Sequence, residues 1–108
     1  MNQIKRTRRR ENNLSIRKSE ILNAAIEVAK KIGYQSITRE TVALAADTSC
    51  ALVTRYFTTM AQLKGAVMMT AIDREILPII AQGLSLGDAR ALKIQEELKQ
   101  KVITFLSN

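Results

Sequence analysis

The chain has 108 residues, the length of one small domain, and 46% of them are hydrophobic, which excludes a wholly disordered chain and permits a modest core. Its net charge of +7 indicates a polyanionic partner. A single cysteine excludes an internal disulfide and suits a reducing compartment.

Positive charge is concentrated at the start of the chain, where residues 1–20 hold seven basic and two acidic residues. Residues 1–13 show no apolar periodicity, so we predict a flexible basic arm. Such an arm can follow the minor groove of DNA, and a non-specific or purely solubilising role is the alternative. The candidate contacts in the arm are Arg6, Arg8, Arg9 and Arg10. Arg17, at the start of the first helix, is a further candidate for a phosphate contact.

Few glycine and proline residues and little two-residue alternation predict an all-α fold. The first helix is expected to begin near Asn13 to Ser15 and to end before Gly33. Its buried stripe is predicted to comprise Ile21, Ala24, Ala25, Val28, Ala29 and Ile32. Tyr34 is expected to enter the core after the turn.

Two short helices joined by a tight turn are predicted next. Thr38 is a good N-cap for a helix over residues 39–46, and Ser49 is a good N-cap for a helix over residues 50–57. Asp47 lies at the turn, where aspartate tolerates positive φ better than most residues. This pattern is typical of a helix-turn-helix, whose second helix enters the major groove of DNA.

The remaining sequence predicts two more helices. Thr59 and Gln62 match a capping box at the start of a fourth helix, which we expect Pro78 to kink rather than end. The segment GLSLGD over residues 83–88 predicts a break, and a last helix follows to about Leu106. Its apolar stripe is predicted to be Ala91, Ile94, Leu98, Val102 and Phe105.

Several other classes of protein find little support in this sequence. It has no apolar run of the roughly 20 residues that a membrane span needs, and its basic start does not lead into a secretory signal, so we expect a cytoplasmic protein. It also has no histidine and no glycine-rich phosphate loop, and Glu96 and Glu97 are adjacent on a helix and do not face each other. We therefore expect no enzyme, no metal and no other cofactor.

An ordered set of short motifs occupies residues 17–64. Its positions are Arg17, Ile21, Leu22, Ala24 and Ala25, then Gly33 and Tyr34, Thr38, Val42 and Ala43, Ala46 to Ser49, Tyr56 and Phe57, and Leu63. This set resembles the N-terminal DNA-binding domain of the TetR family of bacterial repressors. Four residues depart from the family pattern: Asp47 and Ala51 stand where it has glycine, Thr54 where it has tyrosine, and Met60 where it has a phosphate-binding lysine.

The resemblance implies a helix-turn-helix domain over residues 14–64 and a helical dimerisation region over residues 65–108, in which two helices form a bundle. It also implies contacts to the DNA backbone at Thr38, Arg39 and Tyr56. In the predicted recognition helix, Arg55 could bind guanine, and Ala51 and Thr54 could contact a thymine methyl. The remaining candidates, at the N-terminal end of that helix, are Ser49 and Cys50. A plain helical hairpin with Arg55 in solvent is the alternative.

We expect from these residues a homodimeric repressor that binds a palindromic operator in double-stranded DNA. The small size and the absence of an inducer domain suggest a plasmid, phage or mobile-element regulator. Because only residues 65–108 follow the DNA-binding domain, we expect no small-molecule inducer domain of the family's type. An activator on the same fold is one alternative. An interaction protein that pairs with another regulator through residues 65–108 is the second.

Overall fold

A computed structural model describes the backbone of residues 2–107 and the side chains of residues 16–107. These residues form seven α-helices and a short 3₁₀ turn and no strand, which confirms the all-α prediction. The elements are α1 (Asn2–Ile32), the 3₁₀ turn (Tyr34–Ser36), α2 (Arg39–Ala45), α3 (Cys50–Tyr56), α4 (Met60–Asp73), α5 (Leu77–Leu86), α6 (Ala89–Leu92) and α7 (Glu96–Ser107). Within the described part of the chain, no helix is both long enough and apolar enough to span a membrane.

Helix α1 begins at Asn2, whereas we predicted a start near Asn13 to Ser15. The earlier start has a local reason, because residues 2–15 contain neither glycine nor proline and are rich in good helix formers such as arginine, lysine and glutamine. The side chains of residues 1–15 lie outside the described ones. The contacts predicted for Arg6, Arg8, Arg9 and Arg10 therefore stay predictions.

One hydrophobic core runs through both halves of the chain. The helix-turn-helix contributes Val42 and Val53, both 0% exposed, and the helices after it contribute Ile79, Ile80 and Val102. Helix α1 packs against α2 and α4 through Ile21, Ala25, Val28 and Ala29, which are buried as predicted. Ala24 and Ile32 were also predicted to belong to this stripe, but Ala24 is half-buried and Ile32, on the last turn of α1, is 50% exposed.

The predicted kink at Pro78 is wrong, because the fourth helix ends at Asp73 and a new helix begins at Leu77. Between them Glu75 adopts a left-handed conformation with φ 54°, and the Ile76 N–H donates to the Ala71 carbonyl at 2.8 Å, which closes the helix end. Pro78 lies in the first turn of α5, where its missing N–H leaves no helical hydrogen bond unmade.

The predicted break over residues 83–88 is wrong at its start, because α5 continues through Gly83 and ends only before Gly87, whose φ is 73°. The last helix is instead divided into α6, which Asp88 caps, and α7. This division lets α6 pack on α4 and α5 while α7 packs on α5. Phe105, predicted for the buried stripe, is 43% exposed near the end of α7.

Candidate nucleic-acid interface

Side-chain caps set the limits of α2 and α3. The Thr38 hydroxyl accepts from the Thr41 N–H at 3.1 Å, and the Thr41 hydroxyl accepts from the Thr38 N–H at 3.0 Å. We predicted the cap by Thr38 but not the reciprocal bond from Thr41. Ser49 caps α3 by accepting from the Leu52 N–H at 3.1 Å, as predicted. Asp47, with φ 54°, makes the turn between the two helices.

Helix α3 is held by its inner face. Val53 is 0% exposed and Phe57, directly after the helix, is 4% exposed. The residues of α3 that are exposed to solvent, which we call its outer face, are Cys50, Ala51 and Arg55. The outer face therefore combines two small residues with one long cationic side chain, which suits close approach to base edges.

Two other predicted contact residues of α3 are half-buried, Thr54 and Tyr56. The Thr54 hydroxyl donates to the Cys50 carbonyl within the helix at 3.0 Å. Because the hydroxyl proton is used in this hydrogen bond, only the methyl group and the oxygen lone pairs of Thr54 are available to contact a base. Tyr56 packs against the hydrophobic core at the end of the helix.

Arg39 makes a structural contact that has no local signal in the sequence. Its Nη2 donates to the Thr58 carbonyl at 3.0 Å and so ties the start of α2 to the loop between α3 and α4. Among the described side chains, the Arg39 Nε is buried without a hydrogen-bond partner. Arg39 thus braces the two ends of the helix-turn-helix, and its part in phosphate binding stays a prediction.

Cationic residues of α1 lie beside this unit. Arg17 is exposed and pairs with Glu20 at 3.5 Å, a weak surface interaction that a phosphate could replace. Lys18 Nζ lies 5.4 Å from the centre of the Phe57 ring, which joins α1 to the end of the recognition helix. The part of α1 around Lys18 is thereby held close to the end of α3.

The start of α4 departs in one respect from the predicted capping box. Thr59 accepts from the Gln62 N–H at 3.1 Å as expected, but the Gln62 side chain accepts from the Thr58 N–H at 3.0 Å rather than from Thr59. Thr58 is therefore held through both of its backbone groups: its N–H donates to Gln62, and its carbonyl accepts from Arg39. These bonds order the loop that ends the recognition helix.

Tyr34 is buried at 5% exposure, as predicted, and connects distant parts of the chain. Its N–H donates to Gln82 Oε1, and its hydroxyl lies 3.1 Å from the Lys64 carbonyl and 3.2 Å from Asp88 Oδ2. Burial and, after it, the Asp88 carboxylate raise the pKa of Tyr34 to about 12, so the hydroxyl keeps its proton and acts as a donor. Partners 48 and 54 residues away leave no local sequence signal.

An open groove of about 530 Å³ lies between the end of α1, the 3₁₀ turn, α5 and the end of α7. Ile32 and Phe105, the two exposed members of predicted buried stripes, both line it together with Leu86 and Leu106. The groove draws on both halves of the chain and is open to solvent. The expectation that the protein takes no inducer stays a prediction.

Capped helices, a tight turn and an exposed second helix define a helix-turn-helix DNA-binding domain. Residues 21–67 match the model of a family described as bacterial regulatory proteins, tetR family. Residues 21–67 are thus similar to the N-terminal helix-turn-helix domain of these transcription regulators, as the sequence motifs predicted. No curated protein and no solved structure matches the chain significantly.

Proposed function

We propose that the protein is a transcriptional repressor that binds a palindromic operator as a homodimer. The observation that carries this proposal is the outer face of α3, where exposed Arg55 is accompanied by the small exposed residues Cys50 and Ala51. A helix with small residues at its N-terminal end can sink deeply into the major groove. Repression would follow from occupation of a promoter.

Arg55 is the residue we propose for direct reading of a base. A guanidinium can donate two parallel hydrogen bonds to guanine O6 and N7, the commonest specific contact in the major groove. Ala51 and the methyl group of Thr54 would contact a thymine methyl nearby. The operator half-site would therefore contain a guanine beside at least one thymine.

The charge of the chain supports binding to the DNA backbone. Its net charge of +7 favours a polyanion, and Arg17 is exposed on the part of α1 that approaches α3. We propose phosphate contacts from Arg17, from the start of α2 at Thr38 and Arg39, and from Tyr56, with Arg6, Arg8, Arg9 and Arg10 in the adjoining minor groove. Binding would weaken steeply with rising salt concentration.

Residues 65–108 are the proposed dimerisation region. They expose several large apolar side chains, and exposed apolar surface of this kind is commonly covered by a partner. The exposed side chains are Met69, Leu86, Leu92, Ile103, Phe105 and Leu106. A two-fold dimer would place its recognition helices in half-sites about one helical turn, ~34 Å, apart.

The decisive experiment compares Arg55→Ala with Arg74→Ala on an operator selected from random DNA. Losing a bidentate contact to guanine should cost about 1–3 kcal/mol, or roughly 5- to 150-fold in affinity, and should relax the preference at one base pair of each half-site. Arg74 is the matched control, because it lies at the far end of α4 and donates to Asn23. Unchanged affinity of the Arg55 variant would refute the assignment of the reading residue.

The size of the wild-type protein, alone and with DNA, and its footprint on DNA separate the alternative roles. A monomeric wild-type protein without a specific footprint would favour the interaction protein that pairs with another regulator. A specific footprint upstream of a promoter, without overlap of the polymerase site, would favour an activator.

A further inference from the structure

The recognition helix is connected to the C-terminal helices through few elements. Helices α2 and α3 pack on each other, and α2 packs on α1. The 3₁₀ turn, which directly precedes α2, packs against α5. The position of α3 relative to α5, α6 and α7 is therefore set chiefly by α1, α4 and this turn.

Tyr34 is the first residue of the 3₁₀ turn, and it makes hydrogen bonds to the helices on both sides of the turn. Its N–H donates to Gln82 Oε1 on α5, and its hydroxyl lies within hydrogen-bond distance of Asp88 Oδ2 and of the Lys64 carbonyl on α4. A hydroxyl has one proton, so it donates to one of these oxygens at a time. Lys64 Nζ adds a further bond, to the Gln35 carbonyl at 3.3 Å.

The two carboxylate oxygens of Asp88 accept hydrogen bonds from different parts of the chain. Oδ1 accepts from the N–H groups of Arg90 and Ala91, at 2.9 and 3.2 Å, and so caps α6. Oδ2 faces the hydroxyl of Tyr34. One carboxylate thus holds both the start of α6 and the turn that leads into the helix-turn-helix.

These bonds are directional and shielded from water. Tyr34 is 5% exposed, and the hydrogen bonds to Gln82 and Asp88 are partly buried. Gly33, with φ 100°, brings the chain from α1 into the turn in a conformation that other residues rarely adopt. The turn is therefore fixed in position as well as buried.

We propose that Tyr34, Gln82 and Asp88 form a link that sets the orientation of the recognition helix relative to the dimerisation region, and thereby the half-site spacing that a dimer accepts. This inference rests on the proposed dimeric repressor. Each added base pair moves a half-site by about 3.4 Å and turns it around the DNA axis. With a rigid link, the dimer should bind an operator of altered spacing more weakly. With a loosened link, its affinity should depend less on the spacing.

The test uses two substitutions that each remove one bond while keeping the size of the side chain. Tyr34→Phe removes the hydroxyl, and Gln82→Leu removes the oxygen that accepts from the Tyr34 N–H. Gln35→Leu is the matched control, because it makes the same chemical change in the same turn at an exposed side chain. Circular dichroism and sedimentation establish that each variant folds and dimerises as the wild type does.

Affinity is measured on the selected operator and on versions with one base pair added to or removed from its centre. We expect the wild type and Gln35→Leu to prefer the parent spacing by about tenfold or more, within the usual range of coupling between two sites. For Tyr34→Phe and Gln82→Leu the preference should fall to about twofold, a loss of selectivity that weaker folding alone would not produce.

Two results would overturn the inference, and they differ in what else they refute. If the folded, dimeric variants keep the spacing preference of the wild type, the link is wrong and the proposed function stands. If the wild type itself binds single half-sites as tightly as palindromes, the dimeric operator and the link fail together.

Discussion

Replacing Gly83 by alanine tests the packing that holds α5 and α6 on α4. A Cβ atom at Gly83 would lie 3.0 Å from Ala91 Cβ and 3.1 Å from Met68 Sδ, and closer still to Met68 Cε. Met68 and Ala91 are both 0% exposed, so neither can move into solvent. Overpacking of this kind costs about 1–3 kcal/mol.

Gly65→Ala is the matched control, because Gly65 also lies inside a helix and gains the same helix propensity of about 1 kcal/mol. A Cβ there would meet the guanidinium of Arg90, with Nη2 at 2.8 Å. Arg90 is exposed, and its flexible end can swing away. The two variants should therefore differ by about 1–3 kcal/mol in the free energy of unfolding, with Gly83→Ala the less stable.

Thermal unfolding followed by circular dichroism measures this difference. In a domain of about 100 residues, 1 kcal/mol shifts the Tm by roughly 4–8 °C, so the two alanine variants should be clearly separated. Equal Tm values, or a higher Tm for Gly83→Ala, would refute the close packing of α5 against Met68 and Ala91.

Two further predictions concern single interactions. Ser49→Ala removes the cap of α3 and should lower the free energy of unfolding by about 1 kcal/mol in urea titrations, while Ser49→Asp should restore most of it; equal losses in both variants would contradict the capping role. The raised pKa of Tyr34 means that the folded state favours the protonated hydroxyl, so this contribution to stability is complete below pH 10 and is lost as pH rises to about 12. Burial and, after it, the Asp88 carboxylate raise this pKa, and Arg90 lowers it. Because Tyr34→Phe has no hydroxyl to ionise, it should lose less stability over this pH range than the wild type. Parallel curves of stability against pH would contradict the prediction.

The helix-turn-helix was predictable because its determinants are local. Thr38 and Ser49 cap helices whose first turns follow directly in sequence, and the buried positions Val42 and Val53 repeat at helical spacing. Local caps and periodicity are physical signals that a single sequence contains. The exposure of Arg55 on the outer face of α3 follows from the same pattern.

The C-terminal helices were predicted less well, because their boundaries depend on unusual local conformations and on tertiary contacts. Glu75 turns the chain at positive φ, which few residues of its type adopt, so we predicted a kink at Pro78 and no helix end before it. Gly83 was interpreted as a helix breaker, whereas its missing side chain admits Met68 and Ala91. Sequence gives no sign of such a close approach between helices.

The same reason explains the missed polar contacts near the candidate interface. Arg39 bonds to the carbonyl of Thr58, and Tyr34 bonds to Gln82 and Asp88, across long separations in sequence. Thr38 and Arg39 were predicted to contact DNA because they lie at a helix start. Their position did not predict the Thr41 hydroxyl as a partner of Thr38 or the Thr58 carbonyl as a partner of Arg39. Which bases and phosphates the candidate residues contact stays a prediction.

The central proposal is sequence-specific binding of DNA by a dimer through α3, and selection of bound sites from random double-stranded DNA tests it most directly. We predict an enriched palindrome with a guanine in each half-site and half-site centres about 10 base pairs apart. Enrichment of no common motif, or of an asymmetric single site, would contradict it.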